Sequence, residues 1–299
     1  MLYAITSYFN PARYRSRLEN YRAFRQHMQE PLVAVELSFD GHFELEERDA
    51  TRLIQVRATD VMFQKERLLN LALDALPPVC DIVAWIDCDV ILETGWSRRA
   101  RKALGAGRLV HLFDRQINRA RDGLGQSLFG ASVARKLLSG EMTLDDFTAE
   151  ARPVPHTAWG LAWAAPRPLL DAHRFYDACI AGSGDAALFC AAAGGFDRPR
   201  EALRMSPDWH RHYLAWAKPF HQAIAGRIAC LDGPILHLWH GETEHRQYRE
   251  RHQHLQRFQF NPDEDVALTS NGCWRWNSDK PEMHAWIDQY LTGRKEDGD

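Results

Sequence analysis

Between residues 1 and 92 the chain alternates two periods, and nothing else in it narrows the possible folds as much. Met1–Tyr8 reads as a strand closed by Asn10-Pro11. Tyr14–Gln29 sets Tyr14, Leu18, Tyr21, Phe24 and Met28 on one helical side, and Pro31 stops it. Leu32–Phe39 is a buried strand before the Asp40-Gly41 turn, and Leu53–Val56 is a shorter one. Gln64–Leu76 has helical spacing and ends on Pro77-Pro78; Asp81–Leu92 is a further buried strand with a charged end. Strand, helix, strand, strand, helix, strand predicts an α/β fold, a mostly parallel central sheet flanked by helices. Such sheets bind ligands beyond the carboxyl ends of their strands.

Length and composition bound the rest. The 299 residues suit one large α/β domain or two coupled subdomains. Hydrophobic residues at 45% and charged residues at 26% exclude disordered and low-complexity classes. A net charge of -3 excludes a globally basic nucleic-acid binder. No run reaches the ~18 apolar residues of a membrane span, and the N-terminus lacks a signal-peptide pattern. A cytoplasmic location is therefore expected. Cys80, Cys88, Cys179, Cys190, Cys230 and Cys273 make no C-x-x-C pair and are expected as free thiols.

Four parts are expected. Residues 1–113 form an α/β half ending in Asp87-Cys88-Asp89 and the chain just beyond it. Residues 114–152, with Gly123, Gly125, Gly130 and Gly140, form an inserted helical and loop segment over the cleft. Residues 153–245 form a second half, with a helix from Asp185 to Ala193, irregular chain over 196–226 and a strand from Ile228 to Trp239. Residues 246–299 supply a helix reaching Phe260 and a polar tail, Lys295–Asp299, expected to fray.

Asp87-Cys88-Asp89 ends the most apolar run, VAWIDCDVIL. Burying two unpaired carboxylates is costly, and at 4 Å they repel by about 4 kcal/mol at an effective dielectric of 20. A hard divalent cation, Mn²⁺ or Mg²⁺, removes both problems, and it is the usual companion of a substrate diphosphate. The bland reading is a strand ending in solvated acids. Asp185 follows Gly182-Ser183-Gly184 at a helix start, where it is either an N-cap or a general base. His237 and His240 lie three apart on a strand, so only one is expected to face the cleft, with His237 preferred. Glu36 in a buried strand needs a partner, either an Arg or a ribose or uracil edge. Lys65 at a helix start either reaches a phosphate or sugar or is solvated. Trp159, Gly160 and Trp163 offer a sugar platform or core packing. The arginines of 246–257 are expected on a solvated face.

The D-x-D, the Trp/Gly/Ala segment His156–Ala164, the Gly-Asp helix start and the strand ending His237-Leu-Trp-His240-Gly241 come in an order that resembles the GT-A class of nucleotide-sugar glycosyltransferases. The resemblance covers roughly residues 1–245 and implies a GT-A-like, Rossmann-like fold, with residues 1–113 as the nucleotide-sugar-binding half, residues 153–245 as the acceptor and catalytic half, and a C-terminal acceptor-side part. It implies a family 2-like transferase moving a sugar from a UDP- or GDP-linked donor to a hydroxyl acceptor, with inversion. It implies a metal on Asp87, Asp89 and His237 or His240, with Asp185 as base. Thr6, Ser7, Phe9, Glu36, Lys65, Asp87, Trp159 and Gly160 would hold the donor. One departure stands out: where the class often has Glu-Asp, this chain has Gly184-Asp185. The acceptor is unspecified; glycan, lipid, small-molecule and modified nucleic-acid hydroxyls all qualify. Two rivals remain. A nucleotidyltransferase would use Mg²⁺ and a triphosphate, but TSYFNPARYR is a poor triphosphate loop. An NAD-dependent dehydrogenase would use Gly182-Ser-Gly184-Asp-Ala-Ala187 as G-x-G-x-x-A.

Overall fold

The alternation of residues 1–92 becomes β1 (Leu2–Phe9), α1 (Arg15–His27), β2 (Leu32–Ser38), β3 (Arg52–Arg57), α2 (Lys65–Asp74) and β4 (Ile82–Ile86). The structure is a computed structural model and describes residues 1–147 and 155–298. Next come β5 (Val90–Leu92), α3 (Trp96–Leu104), β6 (Leu109–His111), β7 (Arg115–Arg119), β8 (Gln126–Ser132) and α4 (Val133–Ser139). The middle of the chain gives β9 (Thr157–Ala158), β10 (Ala162–Pro166), α5 (Arg167–His173), α6 (Gly184–Ala193), α7 (Asp197–Ala202) and α8 (Pro207–Ile224). The remainder is β11 (Ile228–Cys230), β12 (Pro234–His237), α9 (Glu250–Gln256), α10 (Pro262–Asp265), β13 (Val266–Leu268), β14 (Trp274–Trp276) and α11 (Pro281–Thr292).

The architecture is the mixed α/β one expected, a central seven-stranded sheet flanked by helices. Its order is β11-β6-β10-β4-β1-β2-β3. Only β10 runs antiparallel, to both β4 and β6. All seven residues of β2 are buried, as a strand covered on both faces requires. The sheet is not confined to residues 1–113, because β10 and β11 complete it.

A second sheet, β5-β12-β7-β8-β9, stands beside the first. The chain passes between the two sheets at residues 87–89, 112–114, 159–161 and 231–233, each a three-residue step. Backbone hydrogen bonds tie the steps together: Asp87 N–H donates to Leu161 O at 2.7 Å and Asp114 N–H to Gly233 O at 3.0 Å.

Several expectations change here. The run Asp81–Leu92 is two strands in different sheets, split by Asp-Cys-Asp. The run Ile228–Trp239 likewise splits at Gly233, whose φ of +115° suits only glycine. Residues 114–147 supply the hairpin β7–β8 and α4 rather than short helices alone; residues 148–152 of the expected insertion lie outside the described residues. The stretch 196–226 holds α7 and the 18-residue α8. Its start is well signalled: Ser206 Oγ accepts from Trp209 N–H and Pro207 occupies the first turn, a cap worth about 1 kcal/mol. Pro219 inside the helix removes one backbone donor and disguises the pattern. The helix expected to reach Phe260 is the shorter α9, and the described part of the tail, 295–298, is packed rather than frayed; residue 299 lies outside the described residues. Asp297 accepts from the N–H groups of Arg15 and Ser16, capping α1, and Glu296 is 1% exposed.

All six cysteines are free, as expected. Among the described residues no helix is long and apolar enough to cross a membrane.

Candidate active site

A cleft of about 870 Å³ opens where the steps between the sheets meet α2, α6 and the C-terminal segment. Two of the steps line it directly. Residues 87–89 bring Asp87 and Asp89, and residues 159–161 bring Trp159 and Gly160.

Asp89 belongs with the second sheet. Its C=O accepts from Leu238 N–H at 2.8 Å, and Val90 pairs with His237 across β5 and β12. β12 ends at His237, and the chain then turns, so His240 swings back to the same side. Both histidines therefore reach Asp89, contrary to the expectation of one. Asp89 Oδ2 lies 3.9 Å from His237 Nε2 and 3.3 Å from His240 Nε2, and the two ring nitrogens are 2.8 Å apart. One ligand atom from each of the three residues falls within 4.8 Å of the others. Asp89 Oδ1 is buried with no hydrogen-bond partner. Burial holds both imidazoles below their usual range, and so neutral and able to ligate; at His240, Arg246 adds to this.

Asp89 and His237 are the pair best placed for a cation. The orphaned Oδ1 lacks the partner that a cation would supply. Gln116 Nε2 faces His237 Nδ1 at 3.2 Å, so the amide must turn its oxygen to that nitrogen to accept the N–H of a ligating imidazole. His240 is differently committed. Arg246 donates to its Nδ1, which leaves the proton on Nε2. It joins a cation only once Arg246 leaves that nitrogen.

Asp87 takes a different part. Its Oδ1 lies 2.5 Å from Lys65 Nζ, and Lys65 also reaches Asp185 Oδ2 at 2.7 Å. One ammonium thus joins the D-x-D step to the head of α6. Burial pushes Asp87 up to about 7 in spite of Lys65, with Asp185 and Asp89 adding to it.

Two glycines make room for acids. A Cβ on Gly160 would stand 2.4 Å from Asp185 Oδ2. A Cβ on Gly184 would stand 2.2 Å from Glu66 Oε1. Glu66, next to Lys65 on α2, thus fills the space that a side chain at 184 would take. It is 5% exposed, Oε1 has no partner, and burial pushes it up to about 8. His111, stacked on Trp163 at 3.7 Å, holds the Gly160 carbonyl at 3.0 Å. Trp163 is fully buried, so of the two tryptophans only Trp159 lines the cleft.

Ser7 and Phe9 also line the cleft. Thr6 and Glu36 do not. Thr6 is fully buried and donates to Ile86 O at 2.7 Å, tying β1 to β4. Glu36 accepts from Glu44 N–H at 2.6 Å and from Gln55 Nε2 at 2.9 Å, and it borders a separate cavity of about 240 Å³ with Tyr8 and Glu44. Its partners are amides rather than an arginine.

The opposite wall is basic. Arg17, Arg246, Arg251 and Arg294 all line the cleft, and Arg17, Arg246 and Arg294 converge on Glu296. The expected solvated arginine face is thus partly an inner wall. Arg17, the 246–251 pair and Arg294 lie far apart in the chain, and no local spacing announces that they meet.

The G-x-G-x-x-A match of the dehydrogenase rival lacks the strand that a dinucleotide fingerprint needs. α6 follows residues 174–183, which contain no strand.

No family profile and no curated protein matches the sequence. Solved structures do. Staphylococcus aureus TarS 1-349 in complex with UDP-GlcNAc is 14% identical over 64% of this chain and 52% of its own, with a TM-score of 0.38. The chain thus spans about half the length of that relative. The 4-diphosphocytidyl-2C-methyl-D-erythritol synthase of Anaerococcus prevotii is 10% identical over 78% and 87%, at 0.35. A Desulfovibrio desulfuricans protein provisionally named a nucleotide-diphospho-sugar transferase is 11% identical over 79% and 80%, at 0.34. Likenesses this distant carry no assignment of activity, which rests on the cleft's own residues.

Proposed function

We propose that this chain moves a sugar from a UDP- or GDP-linked donor to a hydroxyl acceptor, with inversion. One observation carries the reading: a cation-competent pair, Asp89 and His237, shares a cleft with Asp185, a carboxylate at the head of a core helix. A bound Mn²⁺ or Mg²⁺ would act there as a Lewis acid on the departing diphosphate. The mixed carboxylate and imidazole set favours Mn²⁺ over Mg²⁺.

The chain's own residues do the rest. Asp185 accepts the acceptor's hydroxyl proton as the oxygen attacks the anomeric carbon and the bond to the diphosphate breaks. Lys65 holds Asp185 and Asp87 in fixed relation, so that the base keeps its place beside the D-x-D step. Arg17 and Arg246, beside His240, face the diphosphate. Ser7 and Phe9 border the nucleoside and Trp159 the sugar, with Gly160 allowing the close approach.

The test is thermal unfolding with UDP, GDP, CDP, NAD and ATP, each with Mn²⁺ and with chelator. A metal-dependent rise with one nucleoside diphosphate is expected; at 100 times Kd it corresponds to about 2.7 kcal/mol. A rise with NAD that ignores chelator, or a preference for a triphosphate, would replace the reading with one of its rivals.

A further inference from the structure

The basic wall carries more charge than its partners neutralise, and the excess is greatest at the Asp185 end. Arg251 is 6% exposed, and its donors meet only neutral acceptors. Nη1 donates to the Tyr290 hydroxyl at 2.8 Å, Nη2 to Ser183 Oγ at 2.6 Å and Nε to His252 Nε2 at 3.3 Å. His252 is kept neutral: burial, with Arg251 adding, holds it down at about 3. Among the described residues no carboxylate comes within ion-pair distance of Arg251; the ion pairs of this wall run from Arg17, Arg246 and Arg294 to Glu296 alone.

Two further observations report the same excess. Tyr290 accepts from both Arg251 and Arg294. Burial pushes its hydroxyl up, but Arg294 and Arg251 outweigh burial and pull it below the usual range. The Nε atoms of Arg246 and Arg294 are buried without any partner. A buried guanidinium cannot shed its proton, so its remedy is an anion.

The donor diphosphate belongs at the other end, beside His240 and Arg246. Arg251 instead grips Ser183, two residues before Asp185, and exposed Arg249 lines the same stretch of the cleft. Nη1 and Nη2 of Arg251 each keep a second N–H for a bidentate contact. We propose that the acceptor carries a phosphate near its reacting hydroxyl, which Arg251 and Arg249 bind while Asp185 takes the hydroxyl proton. This rests on the glycosyl-transfer reading above. The bonds balance as before: the acceptor O–H breaks toward Asp185, the new glycosidic C–O bond forms, and the bond to the nucleoside diphosphate breaks.

The test is calorimetric titration of inorganic phosphate into protein saturated with UDP and Mn²⁺, at fixed ionic strength, with acetate as the carboxylate control. Phosphate is expected to bind and acetate not to compete. Arg251→Lys and Arg249→Gln should each weaken phosphate about tenfold, the loss of one charge-assisted contact, and leave UDP affinity unchanged. Arg249 is exposed, so its variant does not depend on the core refolding. Glycerol 3-phosphate should exceed glycerol as an acceptor or as an inhibitor of donor turnover.

Absence of phosphate binding, equal binding in both variants, or equal competition by acetate would each overturn the proposal. If UDP and Mn²⁺ do not bind the wild type, the donor reading fails by itself. Phosphate titrated into the unliganded protein then decides the anion site by whether the two variants lose it.

Discussion

The two walls of the cleft have opposite charge and the same shortage. On one, Asp87, Asp185 and Glu66 gather around the single ammonium of Lys65. On the other, Arg17, Arg246 and Arg294 gather around the single carboxylate of Glu296, with Arg251 beyond its reach. The acidic wall can relieve its excess with protons, and burial raises Glu66 to about 8 and Asp87 to about 7 accordingly. Guanidinium groups have no such outlet at accessible pH. The acidic wall therefore tolerates an empty cleft, whereas the basic wall calls for an anionic guest.

The largest effect that would break this contrast is on catalysis. Asp185→Asn keeps the shape of the acidic wall and removes its base. Transfer should fall by about 10² to 10⁴ in kcat with UDP affinity unchanged, measured by sugar transfer and calorimetry. Normal turnover in this variant would return Asp185 to the role of a helix cap.

The basic wall should answer next, in stability. Glu296→Gln leaves buried arginines without their acid and should cost roughly 3–5 kcal/mol, read from denaturant melts. Burial alone would raise Glu296, but Arg17 and Arg246 outweigh it and hold it at about 2. A folded-state value below the ordinary 4.5 contributes stability at higher pH, which is lost as pH falls from 4.5 toward 2. The variant's melting temperature should lack that acid-side fall.

Gly160→Ala probes the space behind the base. The added Cβ falls 2.4 Å from Asp185 Oδ2, so the carboxylate must move. Displacement on the order of 1 Å should reduce kcat about 10²-fold, with KM for the donor little changed.

Glu66→Gln should give the opposite pH sign to Glu296. A carboxyl raised from 4.5 to about 8 favours the folded state at low pH, and this contribution is lost as pH rises through that window. The glutamine variant should show a flatter profile and melt higher than the wild type at pH 8 and above. A profile unchanged by the substitution would mean that Lys65 neutralises Glu66 and that the acidic wall is not in excess.

Much of this was legible where local periods carry the information. α1, α2 and β1–β4 follow from spacing, and Asp89 and Asp185 were marked by acids beside apolar runs. The splitting of 82–92 and 228–239 between sheets was not, because a continuous apolar run looks alike whether one sheet or two receives it. The basic wall was hidden for another reason. Arg17, Arg246, Arg251, Arg294 and Glu296 meet only through long-range packing, and Glu296 sits in a Lys-Glu-Asp-Gly stretch whose composition suggests a loose tail. Arg246 also explains why His240 differs from His237, a distinction that strand alternation cannot supply.

The three-residue steps between the sheets have a mechanical consequence. Asp87, tied through Lys65 to α6, moves with the first sheet; Asp89, paired to β12, moves with the second. The single residue between them spans the joint. Tilting one sheet against the other changes the Asp87–Asp89 separation directly, as opening a hinge separates marks drawn on its two leaves. The cation pair Asp89 and His237 lies wholly on the second leaf, and Lys65 and Asp185 stand with Asp87 on the first, so the sheet angle sets the distance between cation and base. Residues 159–161 cross the same joint, so Trp159 and Gly160 ride on that motion too.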